Sequence, residues 1–528
     1  MGIAMSRSVY IVRCLFALAL AAGTASAVRA QSQEAQKTID QYIKASGGSK
    51  ALSRAKTVSL QGTIATANGT FGTFTLDSKL PNRYYSELIL SDKHVIEAYN
   101  GKSAWHDDGS GSPSTFTGDE SLKLQAAALI ANSHLLNLKK NKITISLIGH
   151  ALINGKDAVE IEVTSSSGVK RQLFFDSQSH LLARESGELG GTAEELTYSD
   201  YRAEGGIQLP HKLTLRRGSD TYDVNLTQTA VNSVIGERVF DLPVKSQVHL
   251  PDLKALFKEI DENQKAVDKI KEDYAGTRVE ETTELESDGR VKKHEVNEFT
   301  FFYFDGEEVS TLVKKDGKSL TDSEAKKEAD NTQKRLEVLE KQKAKKDAKE
   351  EKAKEQGKDP QSDKQDPGIE TFLRTSQFVN PRRERFRGQD VLVFDFEGNP
   401  EFKPGNLVEK IVQKLAGVVW IDEKAHDVAR LEAYFVSDAK IAGGLLANLQ
   451  KGTGFVYEQA YLNNEVWLPT YAEAHVGARV LLVKGFRVNA VVRYSDYKKY
   501  HVETTSAVGV PKGQDASPQH PTESKPQP

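Results

Sequence analysis

One pattern in this chain is written twice. Residues 173–186 read LFFDSQSHLLARES, and residues 419–432 read VWIDEKAHDVARLE. Asp176, His180, Ala183 and Arg184 of the first stretch recur as Asp422, His426, Ala429 and Arg430 of the second, at identical spacing. Further echoes flank it. Gly155-Lys-Asp-Ala-Val corresponds to Gly388-Gln-Asp-Val-Leu, and Tyr198 precedes Pro210 by the same twelve residues that separate Tyr457 from Pro469. The repeat constrains the fold strongly, because the second half has to arrange its strands much as the first does. It predicts two tandem units, near 31–245 and 251–500. Repetition of a fold carries no chemistry by itself.

Within each unit the order is helix, then strands. EAQKTIDQYIKASGG places Ile39, Tyr42 and Ile43 at helical spacing and stops at Gly47-Gly48. PDLKALFKEIDENQKAVDKIKEDY, residues 251–274, opens the second unit with Leu253, Leu256, Phe257, Ile260, Val267 and Ile270 on one face. Alternating segments follow in both units, broken by Gly, Asn and Pro as antiparallel hairpins require. Arg184 lies 26 residues before Pro210, but Arg430 lies 39 before Pro469. KIAGGLLANLQKGTG fills the excess, so the second unit carries a longer hairpin or an extra strand there.

An antiparallel sheet with one apolar face needs a cover. Two stretches offer one. Residues 119–138 present Leu122, Ala126, Leu129, Ile130 and Leu136, with Leu129 and Ile130 pointing inward and Lys123 and Asn132 outward. Residues 406–417 present Leu407, Val408, Ile411 and Leu415 behind an Asn406 cap. Leu122, Ala126, Leu129, Ile130, Leu407, Ile411 and Leu415 are therefore the expected cavity-facing residues. Where the first unit has its apolar helix, the second has a charged insertion at 320–367. It is polar all round apart from Leu336, Val338 and Leu339, and reads as a solvated helix or a disordered arm.

Residues 1–30 read as a cleaved secretory signal. Arg7 and Arg13 precede the short apolar core CLFALALAA, and Val28-Arg29-Ala30 fits a cleavage site before Gln31, with Ala27 as the neighbouring alternative. Cys14, the only cysteine, lies inside that core, where no lipid-attachment site is expected, so the mature chain would have none. A bacterial periplasmic or secreted protein fits this usage. The net charge of −3 is spread along the chain and argues against nucleic acid as a partner. Residues beyond about 501 are Pro-, Gln- and Ser-rich and read as a disordered tail.

The motifs that resemble chemistry fail on their specifics. HEVNE, 294–298, has Glu298 where a zinc-protease helix needs a second His, and its alternation is that of a strand. YNGKS, 99–103, has Ile96 in place of the first glycine of a phosphate loop and reads as a hairpin turn. The paired Asp, His and Arg sets lie across a strand–turn–strand and have no nucleophile at a fixed offset. No catalytic residue, metal or cofactor is expected.

An export signal, a helix ending in Gly-Gly, the hairpin LFFDSQSHLLAR and then YSDYRAEGGIQLPHKL resemble the bacterial lipoprotein-localisation (LolA/LolB-like) superfamily. The first unit is similar over most of 33–245. The second is similar through GQDVLVFDF, VVWIDEKAHDVARLEA and EVWLPTYAE. The resemblance implies a mainly β chain with helices (α+β), in which each unit is a curved, unclosed, half-barrel-like antiparallel sheet covered by helices. It implies an exported, non-enzymatic protein that binds lipid, lipoprotein acyl chains or another hydrophobic ligand between sheet and helices. The charged arm at 320–367 adds the alternative of an envelope protein partner with no small-molecule ligand.

Overall fold

A computed structural model of the chain describes residues 32–66, 69–189, 191–243, 251–286, 291–355, 369–441, 447–479 and 486–500. The signal, its cleavage sites, the tail and the last part of the charged arm lie outside these residues. The described strands form two large antiparallel sheets, and neither closes on itself.

Both sheets follow one route. In the first, the chain starts in the middle with Thr57–Thr66 and steps outward through five hairpin-linked strands to Ser114–Thr115. It crosses through residues 118–141 to the opposite edge, Thr144–Ile153. It then returns strand by strand until Asp220–Val231 pairs with Thr57–Thr66. The second sheet starts with Tyr274–Leu285, steps out to Lys318–Ser319, and crosses through residues 322–375 to Ser376–Phe386. It returns until Phe486–Lys499 pairs with Tyr274–Leu285. The described part of the second half's excess residues adds two short strands to the sheet. Ala439–Ile441 pairs with Ala447–Leu449, which also bonds to Val466–Arg479.

Helix contacts show that the sheets curl. Helix Gly118–Ser133 touches both strand Ala104–Asp107 and strand Leu182–Leu189, eight places apart in the strand order. Laid flat, eight spacings would cover roughly 38 Å, more than the roughly 24 Å length of this 16-residue helix, yet Leu124 and Ala128, one turn apart, share a cluster with Ala104 and Leu189 of those two strands. Only a sheet wrapped around the helix brings both strands to it. Leu124 and Ala128 seal the contact against Tyr84 and Leu189. In the second sheet, helix Leu253–Lys271 packs Leu256, Phe257 and Ile260 on Phe394 and Val419, while its far end packs Val267 on Phe301 and Leu468.

Several expectations are corrected here. Residues 406–417 are not one cover helix. Asn406 does cap, through a reciprocal capping box with Glu409, but the helix runs only from Leu407 to Val412. The Gln413 amide then bonds the Asn399 and Phe402 carbonyls, and Leu415 already belongs to strand Leu415–Asp422. Leu407 and Val408 are exposed. The second sheet is covered instead by helix Leu253–Lys271. The first cover helix ends at Ser133, because His134, Leu135 and Asn137 adopt left-handed backbone conformations. Asn132 faces inward: it is buried and donates to the carbonyls of Arg83 and Ala128, each at 2.8 Å. The charged insertion is helical over Asp322–Glu355. HEVNE lies on strand Val291–Phe304, and YNGKS is a hairpin turn with Gly101 at φ +95°.

Candidate functional site

The repeated sequence is a device for turning the chain. The Asp176 carboxylate accepts from the backbone N–H groups of Gln178 and Ser179, and Asp422 accepts from those of Lys424 and Ala425. His180 and His426 hold the left-handed position of their turns, at φ +60° and +48°. Ala183 and Ala429 fall where the strand register slips, so each is the extra residue of a β-bulge. Arg184 and Arg430 sit directly across the hairpin from Phe174 and Trp420 and stack on their rings at 6.0 and 5.7 Å. Turn, bulge and stacking account for all four repeated positions, and no step of a reaction is needed to explain them.

The interior of the first sheet is not uniformly apolar. A cavity of about 160 Å³ opens between the sheet and the helices, lined by Tyr42, Leu76, Ile130 and Tyr198 among others. Arg171 and Glu185 reach into it, paired at 2.6 Å, with Glu194 beside them. Arg217 extends the network from Glu194 to Glu97, the latter at 2.7 Å. Burial alone would lower the Arg171 guanidinium, but the Glu185 and Glu194 carboxylates outweigh it and hold it raised. Glu97 is pushed up by burial, against the pull of Arg217. Such pairs cost desolvation and are costly to break, so they fix this interior rather than enlarge it.

A larger cleft of about 300 Å³ lies between helix 118–133 and the second sheet. The helix contributes Leu122, Ala126 and Leu129, and the second sheet contributes Tyr434, Phe455 and Val456. This helix is therefore apolar on more than one side: one flank fills the first sheet and another faces the second. The sheets are held together beside the cleft. Asp395, fully buried, accepts from Asn100 at 2.8 Å, Ser103 at 3.1 Å, Asn380 at 2.8 Å and Arg382 at 3.0 Å. The Tyr434 hydroxyl donates to the Gly101 carbonyl at 2.7 Å. Burial pushes the Tyr99 hydroxyl, on the cleft wall, up to about 12.

Of the seven expected cavity residues, Leu122, Ala126 and Leu129 line this cleft, and Ile130 lines the interior of the first sheet. The other three are elsewhere. Leu407 is 41% exposed, Ile411 is half-buried on its short helix, and Leu415 packs against the core of the second sheet. Tyr99, Tyr434 and Phe455 were missed. Their participation depends on two sheets meeting, which leaves no periodic signal in either sequence.

No family model matches the chain, and no curated protein does. Solved structures do. A LolA superfamily protein from Nitrosomonas europaea is 12% identical, with 39% of this chain and 97% of that one covered, at a TM-score of 0.27. A putative outer membrane lipoprotein-sorting protein domain from Vibrio parahaemolyticus is 10% identical over 40% and 97%, also at 0.27. The complex of MucA and MucB from Pseudomonas aeruginosa is 10% identical over 88% and 99%, at 0.18.

Proposed function

We propose that this is an exported, non-enzymatic envelope protein of two tandem half-barrel units, 31–245 and 251–500, that binds lipid or another hydrophobic ligand. The ligand lies beside helix 118–133. The observation that carries this reading is the cleft of about 300 Å³ with Leu122, Ala126 and Leu129 on one wall and Tyr434 and Phe455 on the other. Ligand sites are concave, mostly apolar and of this order of size. Native mass spectrometry and solvent extraction of the purified full chain test it, together with uptake of a fluorescent acyl probe. Wild type takes up the probe. Leu129→Asp, which turns a carboxylate toward the apolar cleft, takes up much less. A wild-type protein that is empty and takes up no probe overturns the reading.

A second reading rests on a separate observation. Helix Asp322–Glu355 is 34 residues long and largely exposed, and among the described residues it meets the body through contacts such as Thr332 to Thr311 at 2.9 Å, Lys343 to Asp305 at 3.7 Å and Lys343 over the Phe304 ring at 5.3 Å. A charged arm of this kind suits a protein partner in the envelope, contacted through 320–367. Cross-links to envelope proteins that persist after the arm is deleted would remove this reading.

A further inference from the structure

The apolar cleft does not end blindly. Lys142, Ser165, Ser166, Lys451, Gly452 and His475 line both it and an adjoining groove of about 400 Å³, also formed between the two sheets. The character of the walls changes along this path. Near helix 118–133 they are mainly Leu, Ala, Tyr and Phe, with Asn82 and Gln125 among them and the Glu432 carboxylate held by Arg430 at 2.6 Å. In the adjoining groove the charged lining side chains are Lys142, Lys170, Lys451 and Arg487 against one carboxylate, Glu162. Glu162 is spent on Lys170 at 2.9 Å. Among the described residues Lys451 and Arg487 have no carboxylate partner, and the Lys142 ammonium reaches across to the Lys451 carbonyl, tying the two sheets at this point. Hydroxyls and amides of Thr144, Ser165, Gln450 and Asn489 complete the walls. The result is one continuous path with an apolar end and a cationic, donor-rich end.

We propose that the hydrophobic ligand is a single-chain anionic amphiphile, with its acyl chain against helix 118–133 and its acidic head group in the adjoining groove, held by Lys451 and Arg487. This rests on the ligand-binding reading above and adds to it the sign of the head group's charge. Cations in a partly desolvated groove bind an anion by charge-assisted hydrogen bonds, and guanidinium presents a fork suited to carboxylate or phosphate. A neutral amphiphile would leave the Lys451 ammonium and the Arg487 guanidinium without an anionic partner.

The test is displacement of a fluorescent acyl probe from the full chain by hexadecanoic acid, by hexadecanol and by inorganic phosphate. The acid displaces the probe about ten-fold more strongly than the alcohol, as one charge-assisted contact implies. The paired change Lys451→Gln and Arg487→Gln abolishes this difference between acid and alcohol, and Lys451→Glu with Arg487→Glu inverts it. Both positions lie at the surface of the groove, and an unchanged circular dichroism melt shows that the fold is kept. Equal displacement by acid and alcohol overturns the anionic head group while the cleft reading stands. Displacement by phosphate alone as strong as by the acid also overturns the proposal, because the groove would then hold a free anion without a chain. Absence of probe binding in the wild type overturns the ligand reading itself.

Discussion

The two sheets share a route but differ in what carries the chain across them. In the first, the crossover is helix Gly118–Ser133, with Leu124 and Ala128 fully buried. In the second it is helix Asp322–Glu355, which stays in solvent, with Val338 52% exposed. The second sheet is nevertheless well filled. Helix Leu253–Lys271 enters it, and Phe372, Phe378, Phe394 and Phe396 form a run of ring contacts there, such as Phe372 to Phe396 at 4.8 Å. A curled sheet therefore needs a filling, but topology does not decide which element supplies it. Where aromatic side chains and the opening helix suffice, the crossover is released to become an exposed arm. Where they do not, the crossover is drawn in, and a cavity remains between it and the strands.

The same substitution placed in both crossovers separates these cases most widely. Leu124→Asp puts a carboxylate among Tyr84, Tyr99 and Leu189 with no partner. That destabilises the protein by about 4 kcal/mol or forces the acid to stay protonated. Val338→Asp, on a solvated helix, shifts stability by less than about 0.5 kcal/mol. Thermal melts followed by circular dichroism measure both. Similar losses at the two positions would mean that the exposed helix is packed after all, and the contrast between the sheets would fall.

How much of this was legible in advance depends on the range of the interaction. Strand alternation, the hairpin turn at 99–103 and the added strands in the second half are local or repeat-encoded, and were readable. The Asn406 cap was readable too. The length of its helix was not, because the apolar spacing passes from helical to strand period near Lys414 and Leu415 counts in either. Asn132 reads as a surface residue, since an amide on an apolar helix ordinarily faces water. It is buried because the Arg83 carbonyl, 49 residues away, needs a donor. The wall formed by Tyr434 and Phe455 was beyond reach for the same reason on a larger scale.

Position 427 offers a sharper comparison, because the alignment of the two turns sets it opposite Leu181. Asp427 is pushed up to about 6, chiefly by burial, with Lys271, the Val428 N–H and Gln459 opposing the shift and Asp422 adding to it. The folded value lies above the ordinary 3.8, so the folded state binds this proton more tightly than the unfolded state does. The favourable contribution is complete below about pH 4 and is lost as pH rises through about 6. Asp427→Asn keeps an acceptor without the charge. It should raise stability at pH 8 by about 3 kcal/mol and leave it nearly unchanged at pH 4. Denaturant titrations at the two values test this. A variant equally affected at both would show that Asp427 is ionised in the folded state without penalty.

The smallest effects come from the repeated histidines. Both stand in the left-handed region, where a Cβ is strained and glycine is at ease. If they serve only the turn, glycine relieves the strain at a cost in unfolded-state entropy, and the two contributions nearly cancel. His180→Gly should therefore change stability by no more than about 0.5 kcal/mol, in the stabilising direction if either. His426 differs in one respect, since its ring lies 3.2 Å from Glu259 on helix Leu253–Lys271. Both groups of that pair are partly exposed, so losing it costs His426→Gly at most a few tenths of a kcal/mol, roughly, relative to His180→Gly. Probe binding should be untouched in both. A loss of binding common to the two variants would return the histidines to consideration as functional groups.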